Sequence, residues 1–527
     1  MKTILRRTRK GSLLLNSVIL LIVLLLTGAA FLKWAVDEGY QARFDLARTQ
    51  AYYIAQKGVI ETGLFELRSR KAIDLPDLEM HFPDGERVHL NDYTGWNTDN
   101  KLIPVYKVLD SDIPMNDMEL IEEYIISSTG VVEVRGPTGK VEQVERSFNM
   151  HVQKPSLSKY FYFTVSERTM YDEIIWFFGR DVLYGPVRSN DQIAIQGSPE
   201  FYSDVISSAD SFLEGGNYSP IFHADTVLGA PEVAFENRAS ELRLAALAMG
   251  NYFDNRSGQL VTRIEGRSNG WHVYQWSAGT PYDPDNVESH TEVSYSNNTA
   301  IFVEGTLFLK GTGIGGRTTL GSEGDMMLID DVRYSGFGVR DLNPQYQANV
   351  YYLVDTTPIL GLVSESGIRV ANTDANGKGN GASQGDWGDH SNKHIIITAA
   401  LIALGGVDTT NTAGGSFDFE NQNNAPTDPN GWDGYWWCDP DGEHAGEQDE
   451  RGAIYLRGCI LQRRRGYVHR GVNNCNGSGY EKEYAYDIRM WKTPPPYFPK
   501  EVDSDGRYDF QITDSWDQNP DRYEDFH

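Results

Sequence analysis

Hydrophobic positions dominate the chain from Leu13 to Leu32, where Asn16, Ser17 and Thr27 are the only polar side chains. A run of that length spans a bilayer as one helix, which needs about 20 predominantly apolar residues. Five basic residues precede it (Lys2, Arg6, Arg7, Arg9, Lys10), which keeps the N-terminus cytoplasmic and sends the chain beyond Lys33 outward. A cleavable secretory signal is the alternative, with Thr27-Gly28-Ala29-Ala30 as its small-residue site. Phe31, Leu32, Trp34, Ala35 and Val36 carry the apolar character past that point, so an uncleaved anchor is expected. Behind the anchor, Val36, Tyr40, Ala47, Ala51, Ile54, Gly58 and Phe65 keep to one stripe at helical period, with Asp37, Gln41, Asp45 and Arg48 on another face. Proline is absent until Pro76, so one rod from Leu13 to Arg70 is predicted, about 80 Å long. The segments expected are a basic leader (1–12), a transmembrane part (13–36) and an amphipathic stem (37–70).

The period then changes from helix to strand. Tyr124 to Val152 reads as three runs separated at Thr129-Gly130 and at Gly136-Pro137-Thr138-Gly139, a small antiparallel sheet within a head spanning 71–153. Lys154-Pro155-Ser156 marks the boundary. From 154 to 500 apolar doublets and triplets alternate with corners such as Gly185, Gly197, Gly305, Gly311, Gly316, Gly321 and Gly324. Strands this short fit a parallel β-helix, in which each coil buries its inner residues against the next. A β-sandwich is the competitor, although its strands average about five or six residues. Residues 501–527 are acidic and poor in aliphatic side chains, and read as a tail.

Arg9-Lys10-Gly11-Ser12, the apolar run and the continuation ARFDLARTQAYYIAQKGVIETGL together resemble the type IV pilin superfamily, and within it the PilX-like pilus assembly proteins. The resemblance implies a leader cut after Gly11, with Ser12 as the mature N-terminus, and a stem that packs into a filament. Asn16 stands where major pilins carry the glutamate that pairs with a neighbour's amino terminus, which suits a minor or tip subunit. The phrases GPVRSNDQIAIQGSPEFYSDV, IFVEGTLFLKG, LGLVSESGIRV, HIIITAALIAL, AIYLRGCILQRRRGYV and YDIRMWKTPPPYFP, in that order, resemble an uncharacterised bacterial domain found behind such stems. That likeness implies a β-solenoid of unknown biochemical function. The expected fold class is therefore mainly β with one long N-terminal helix: a pilin-like stem and small antiparallel sheet, then a parallel β-helix.

Composition narrows the functions. The 527-residue chain has a net charge of -27, which argues against a nucleic-acid surface. Ser383 lies in a G-x-S-x-G match (Gly381 to Gly385), but its polar context lacks the strand and helix of a hydrolase elbow. Gly311, Gly313 and Gly316 match a dinucleotide fingerprint without a following helix, and read as a solenoid corner. His390 and His394 have helical metal-ligand spacing but precede a β-branched run and have no third ligand. Asp/Glu pairs for glycoside chemistry are plentiful, but only their separation makes them catalytic. Trp432, Tyr435, Trp436 and Trp437 either stack on sugars or fold on one another. Asp374-Ala-Asn376-Gly377 and Asp439-Pro-Asp441-Gly442 open like calcium loops; the first lacks a closing Glu, and the second, ending at Glu450, has His444 where the turn needs Gly. Of the three cysteines, Cys459 with Cys475 is the preferred disulfide and Cys438 with Cys459 the alternative.

The reading that results is a non-enzymatic, membrane-anchored minor pilin-like protein, in the inner membrane with its bulk outside. It acts in pilus or pseudopilus assembly or in surface display. Its expected partners are other pilin-like subunits and their assembly machinery, with no nucleic acid, no catalytic residue and no cofactor beyond a calcium option. A surface-tethered polysaccharide-binding or polysaccharide-cleaving protein and a structural envelope protein outside any filament are the alternatives.

Overall fold

The computed structural model is mainly β with one long N-terminal helix. It describes residues 8–90, 93–106, 121–136, 139–169, 172–179, 181–337, 358–376, 394–406, 414–420, 449–472 and 475–517. The helix runs as Thr8–Lys57, a π turn Gly58–Leu64, and Phe65–Ser69. A π turn inserts extra residues per turn and rotates the face beyond it. Hence Ala47, Ala51, Ala55 and Val59 are fully buried, whereas Phe65, expected on the same stripe, is 70% exposed and Leu64 and Leu67 face inward instead.

The head is an antiparallel sheet of three long strands, Tyr93–Tyr106, Ile121–Arg135 and Val141–Gln153. Thr129-Gly130 does not break it: the second strand passes straight through. Gly130 is there for the helix, since a Cβ at this position would lie 1.9 Å from the Ala51 carbonyl oxygen. Glycine in a strand marks either a bend or a close approach, and here it is the latter. The supposed tail is a second correction, because Gln511–Asp517 forms the edge strand of the head, antiparallel to Val141–Gln153. An Arg146–Asp517 ion pair at 2.6 Å holds it, and the buried Phe510 packs on Tyr124. Its acidic, exposed residues, with no buried side of their own, disguised it as a tail.

Beyond the head lies a ladder of parallel strands. In spatial order its rungs are Tyr252–Phe253, Thr299–Val303, Arg317–Ser322, Ile359–Ser364, Ile395–Ala403, Asp449–Arg464, Tyr162–Ser166, Val187–Ser189, Val205–Ser207 and Thr226–Val227. A second parallel sheet stacks Leu260–Arg267, Leu307–Ile314, Met326–Tyr334, Ile368–Val370 and Phe417–Phe419. In the N-terminal coils Phe177 and Ile195 form one column, and Leu183, Phe201 and Phe222 the next. The apolar columns fill one continuous core. Gly311 and Gly313 lie inside the strand Leu307–Ile314 rather than at a corner; Gly316, at φ +64°, does turn one.

The chain does not climb this stack from end to end. It enters in the interior at Tyr162, winds out to Thr226–Val227, crosses to the far end, and winds back until Asp449–Arg464 meets Tyr162–Ser166. We call that junction the seam. The crossing, residues 228–251, is a strap along the ends of the rungs. Val233 exchanges hydrogen bonds with Asn190 (2.6 and 3.0 Å), Arg463 donates to Asn237 (2.6 Å), and Arg243 bonds Glu365 (2.7 and 2.9 Å). Neighbouring rungs sit about 4.8 Å apart, so the strap covers roughly 40 Å. The helix Ser240–Ala248 within it packs Leu242, Ala245 and Ala246 onto the sheet.

Candidate functional site

The stem is the most unusual surface of the molecule. Every residue from 13 to 39 is exposed, and the stretch contains a window of mean hydropathy 2.6, long and apolar enough to cross a membrane. Its polar positions suit that role: Ser17 Oγ donates to the Leu13 carbonyl and Thr27 Oγ1 to the Val23 carbonyl, both at 2.8 Å. Hydroxyls folded onto helix carbonyls leave no donor unpaired in an apolar medium. Asn16 is exposed on the same helix, whose backbone also runs through Gly11 and Ser12. The change of character comes at Tyr40, whose hydroxyl donates to Glu142 at 2.6 Å. From there inward the small residues of the helix close on the head. About 48 Å of helix, residues 8–39, therefore projects from the folded body.

The head and the coiled body are joined by buried charge. Lys500 pairs with Glu122 at 2.7 Å, and Glu501 accepts from Tyr160 at 2.8 Å and contacts Lys159. Burial works against the Lys500 charge, but Glu122 and Glu241 more than offset it and its pKa is raised. At the seam, Arg465 pairs with Glu167 at 2.9 Å, the two side chains 4% and 2% exposed, and its guanidinium lies 3.8 Å from the centre of the Phe177 ring. A cavity of about 80 Å³ opens beside them, lined among others by Tyr162, Phe177, Phe417 and Tyr484. That is room for a few water molecules rather than an organic substrate.

Cys459 corrects the preferred disulfide. It is a free, fully buried thiol whose pKa burial pushes up, and its sulfur lies 4.0 Å from that of Met490. Gly458 pairs with Tyr486 at one end of the strand Cys475–Tyr486, so Cys475 sits at the other end. That is about 36 Å at strand rise, against the roughly 7 Å between Cα atoms that a bridge spans. Cys438, the G-x-S-x-G match, His390, the tryptophan cluster and the segment 439–448 lie outside the described residues. His394 accepts from the Ala453 amide at 3.0 Å and packs on Tyr455. Asn376 is buried, its amide donating to the Leu328 and Ala371 carbonyls at 2.8 and 3.0 Å.

Two surface features are not visible in the linear pattern. Tyr184, Tyr202 and His223 stack in successive coils at 4.8 and 4.1 Å. Both faces of the Tyr202 ring are thereby covered, which leaves ring edges rather than a platform for a sugar. The second is a group of His272, His290 and Glu292, the only such cluster of three possible metal ligands among the described residues. The histidines are 18 residues apart; the signal was the alternation of two adjacent strand-like runs, GWHVYQWS and SHTEV.

A sequence family described as a domain of unknown function, DUF4900, matches residues 121–210, which span the last two long strands of the head and the first coils. No curated protein matches the chain. Among solved structures, the competence-associated pilin ComZ from Thermus thermophilus aligns over 90% of this chain and 98% of its own at 12% identity, with a TM-score of 0.31. That score lies below the level at which a shared fold follows.

Proposed function

We propose that the chain is a minor, pilin-like subunit: a membrane-anchored stem that enters a pilus or pseudopilus, or anchors at its base, and carries a β-solenoid outward. The observation that supports this is the single helix of two halves, bare over residues 13–39 with its apolar run from Leu13 to Leu32, and clamped to an antiparallel sheet from Tyr40 onward. A bare apolar rod must be covered by lipid or by similar rods. The arrangement lets one helix exchange the first cover for the second without disturbing the head. The role is non-enzymatic in this reading, with the inner membrane, other pilin-like subunits and their assembly machinery as partners. Asn16 in place of a glutamate, and the bulk of the coiled body, favour a tip or minor position over a repeating one.

Intact-mass analysis of the protein isolated from envelopes tests the reading. A mature start at Ser12 is expected; a start at Met1 overturns pilin-type processing and leaves only an anchor. Co-purification with filaments separates the subunit from a static envelope protein, and an Asn16→Glu variant is expected to shift from the tip into the shaft.

A further inference from the structure

The body ends, beyond Leu260–Arg267, in an antiparallel arm formed by Gly270–Ser277 and Ser289–Val293. In the arm His272 stands directly across from Glu292, and Tyr274 across from His290. Three potential ligand atoms converge there. His272 Nδ1 lies 3.1 Å from His290 Nε2 and 3.5 Å from Glu292 Oε1. Two ligands tetrahedrally disposed at zinc bond lengths of about 2.0–2.1 Å sit roughly 3.3 Å apart, so the two observed separations bracket that value. The inner histidine is also prepared. Its side chain is 5% exposed, and its Nε2 faces Asn269 Oδ1 at 3.1 Å. An amide oxygen only accepts, so the network assigns the proton to Nε2 and leaves the Nδ1 lone pair aimed at the other two groups. The outer histidine stacks on the Tyr274 ring at 4.5 Å and 2° and is itself open to solvent.

We propose that His272 Nδ1, His290 Nε2 and Glu292 Oε1 form a binding site for a divalent ion of the zinc class. Two imidazoles and one carboxylate are a zinc donor set, and the fourth position opens to solvent. Without the ion, His290 Nε2–H donates to His272 Nδ1, and the two ring planes are within 17° of parallel. On binding, that proton passes through solvent to His290 Nδ1, the exposed ring swings outward, and both lone pairs face the metal with no net change of charge. The ion then ties the outermost strand of the arm to the strand inside it. Edge strands invite pairing with other chains, and a clip of this kind holds one in place.

The test uses the full chain in detergent, stripped with chelator and titrated with Zn²⁺ against a chromophoric competitor. One equivalent per chain is expected to bind with an affinity that falls about tenfold or more in His290→Ala and in Glu292→Gln. Both residues are exposed, so the variants are expected to match the parent's thermal unfolding in chelator. The chain has eleven histidines, so these variants distinguish this site from the others. Binding of equal strength in His290→Ala, or no stoichiometric binding in the parent, overturns the proposal.

Discussion

The head and the coiled body solve the same problem, covering the faces and edges of short β strands, in opposite ways. In the head, consecutive strands pair antiparallel, the stem helix covers one face, and only the edge strand Gln511–Asp517 returns from the far end of the chain. In the body, parallel rungs are set by stacking, and the contact that completes the pile joins residue 162 to residue 460. Stacked repeats ordinarily behave as sums of nearest-neighbour terms, able to fray from either end. A seam between the first and last pieces of the chain, with a strap along the side, ties these rungs into one cooperative unit. The head is a hairpin-built sheet with one returning edge; the body is all or nothing.

The seam is the place to break that contrast. Glu167→Gln removes the carboxylate paired with the buried Arg465 charge, a change of the kind that costs about 3–5 kcal/mol. The expected result is loss of the whole body in one transition on a urea melt followed by circular dichroism. Separate melting of the N-terminal coils and the C-terminal rungs in the parent protein would sink the idea of a single unit. Gly130→Val comes next in size. Its added atoms meet the Ala51 carbonyl, and overpacking of this kind costs about 1–3 kcal/mol. Proteolysis is expected to release the stem from the head while the body keeps its unfolding midpoint.

A smaller effect is expected at Glu265, in the strand Leu260–Arg267 on which the arm pairs. Burial works against its charge, but Arg267, Arg263 and Lys310 more than offset that, and its pKa is lowered. A carboxylate depressed on folding stabilises above its unfolded pKa, and the stabilisation is lost as pH falls through the folded value. Glu265→Gln is therefore expected to cost about 1 kcal/mol near neutral pH and nothing in strong acid, read as a gap between parent and variant melts that closes on acidification. Smallest of all, Cys459 is expected to resist alkylation in the native protein and to react only on unfolding, which mass spectrometry of the labelled peptide checks.

Legibility from sequence follows the same division. The stem was legible because so long an uninterrupted apolar run suits lipid and little else, and the short rungs because glycine and polar corners punctuate them. Gly130 misled because a missing side chain looks the same whether the backbone turns or another backbone approaches. The edge strand Gln511–Asp517 went unseen because it draws its stability from Arg146 and from ladder bonds rather than from an apolar face. The order of the rungs was beyond reach, since parallel stacking leaves no trace in the spacing between neighbours. His272, His290 and Glu292 were hidden for the related reason that a cross-strand pair needs a register to become visible.

The two crossings between head and body have a mechanical consequence. The chain enters the body just after Gln153 and returns just before Gln511, and the crossings lie side by side, bridged at Ser156 and Lys500. With the stem anchored as proposed, tension on it reaches the coiled body through twin cords tied to its waist, with coils extending to either side like the head of a hammer. Neither end of the pile lies on the line of pull, so a tug at the anchor shears two short tethers together instead of unzipping rungs one by one.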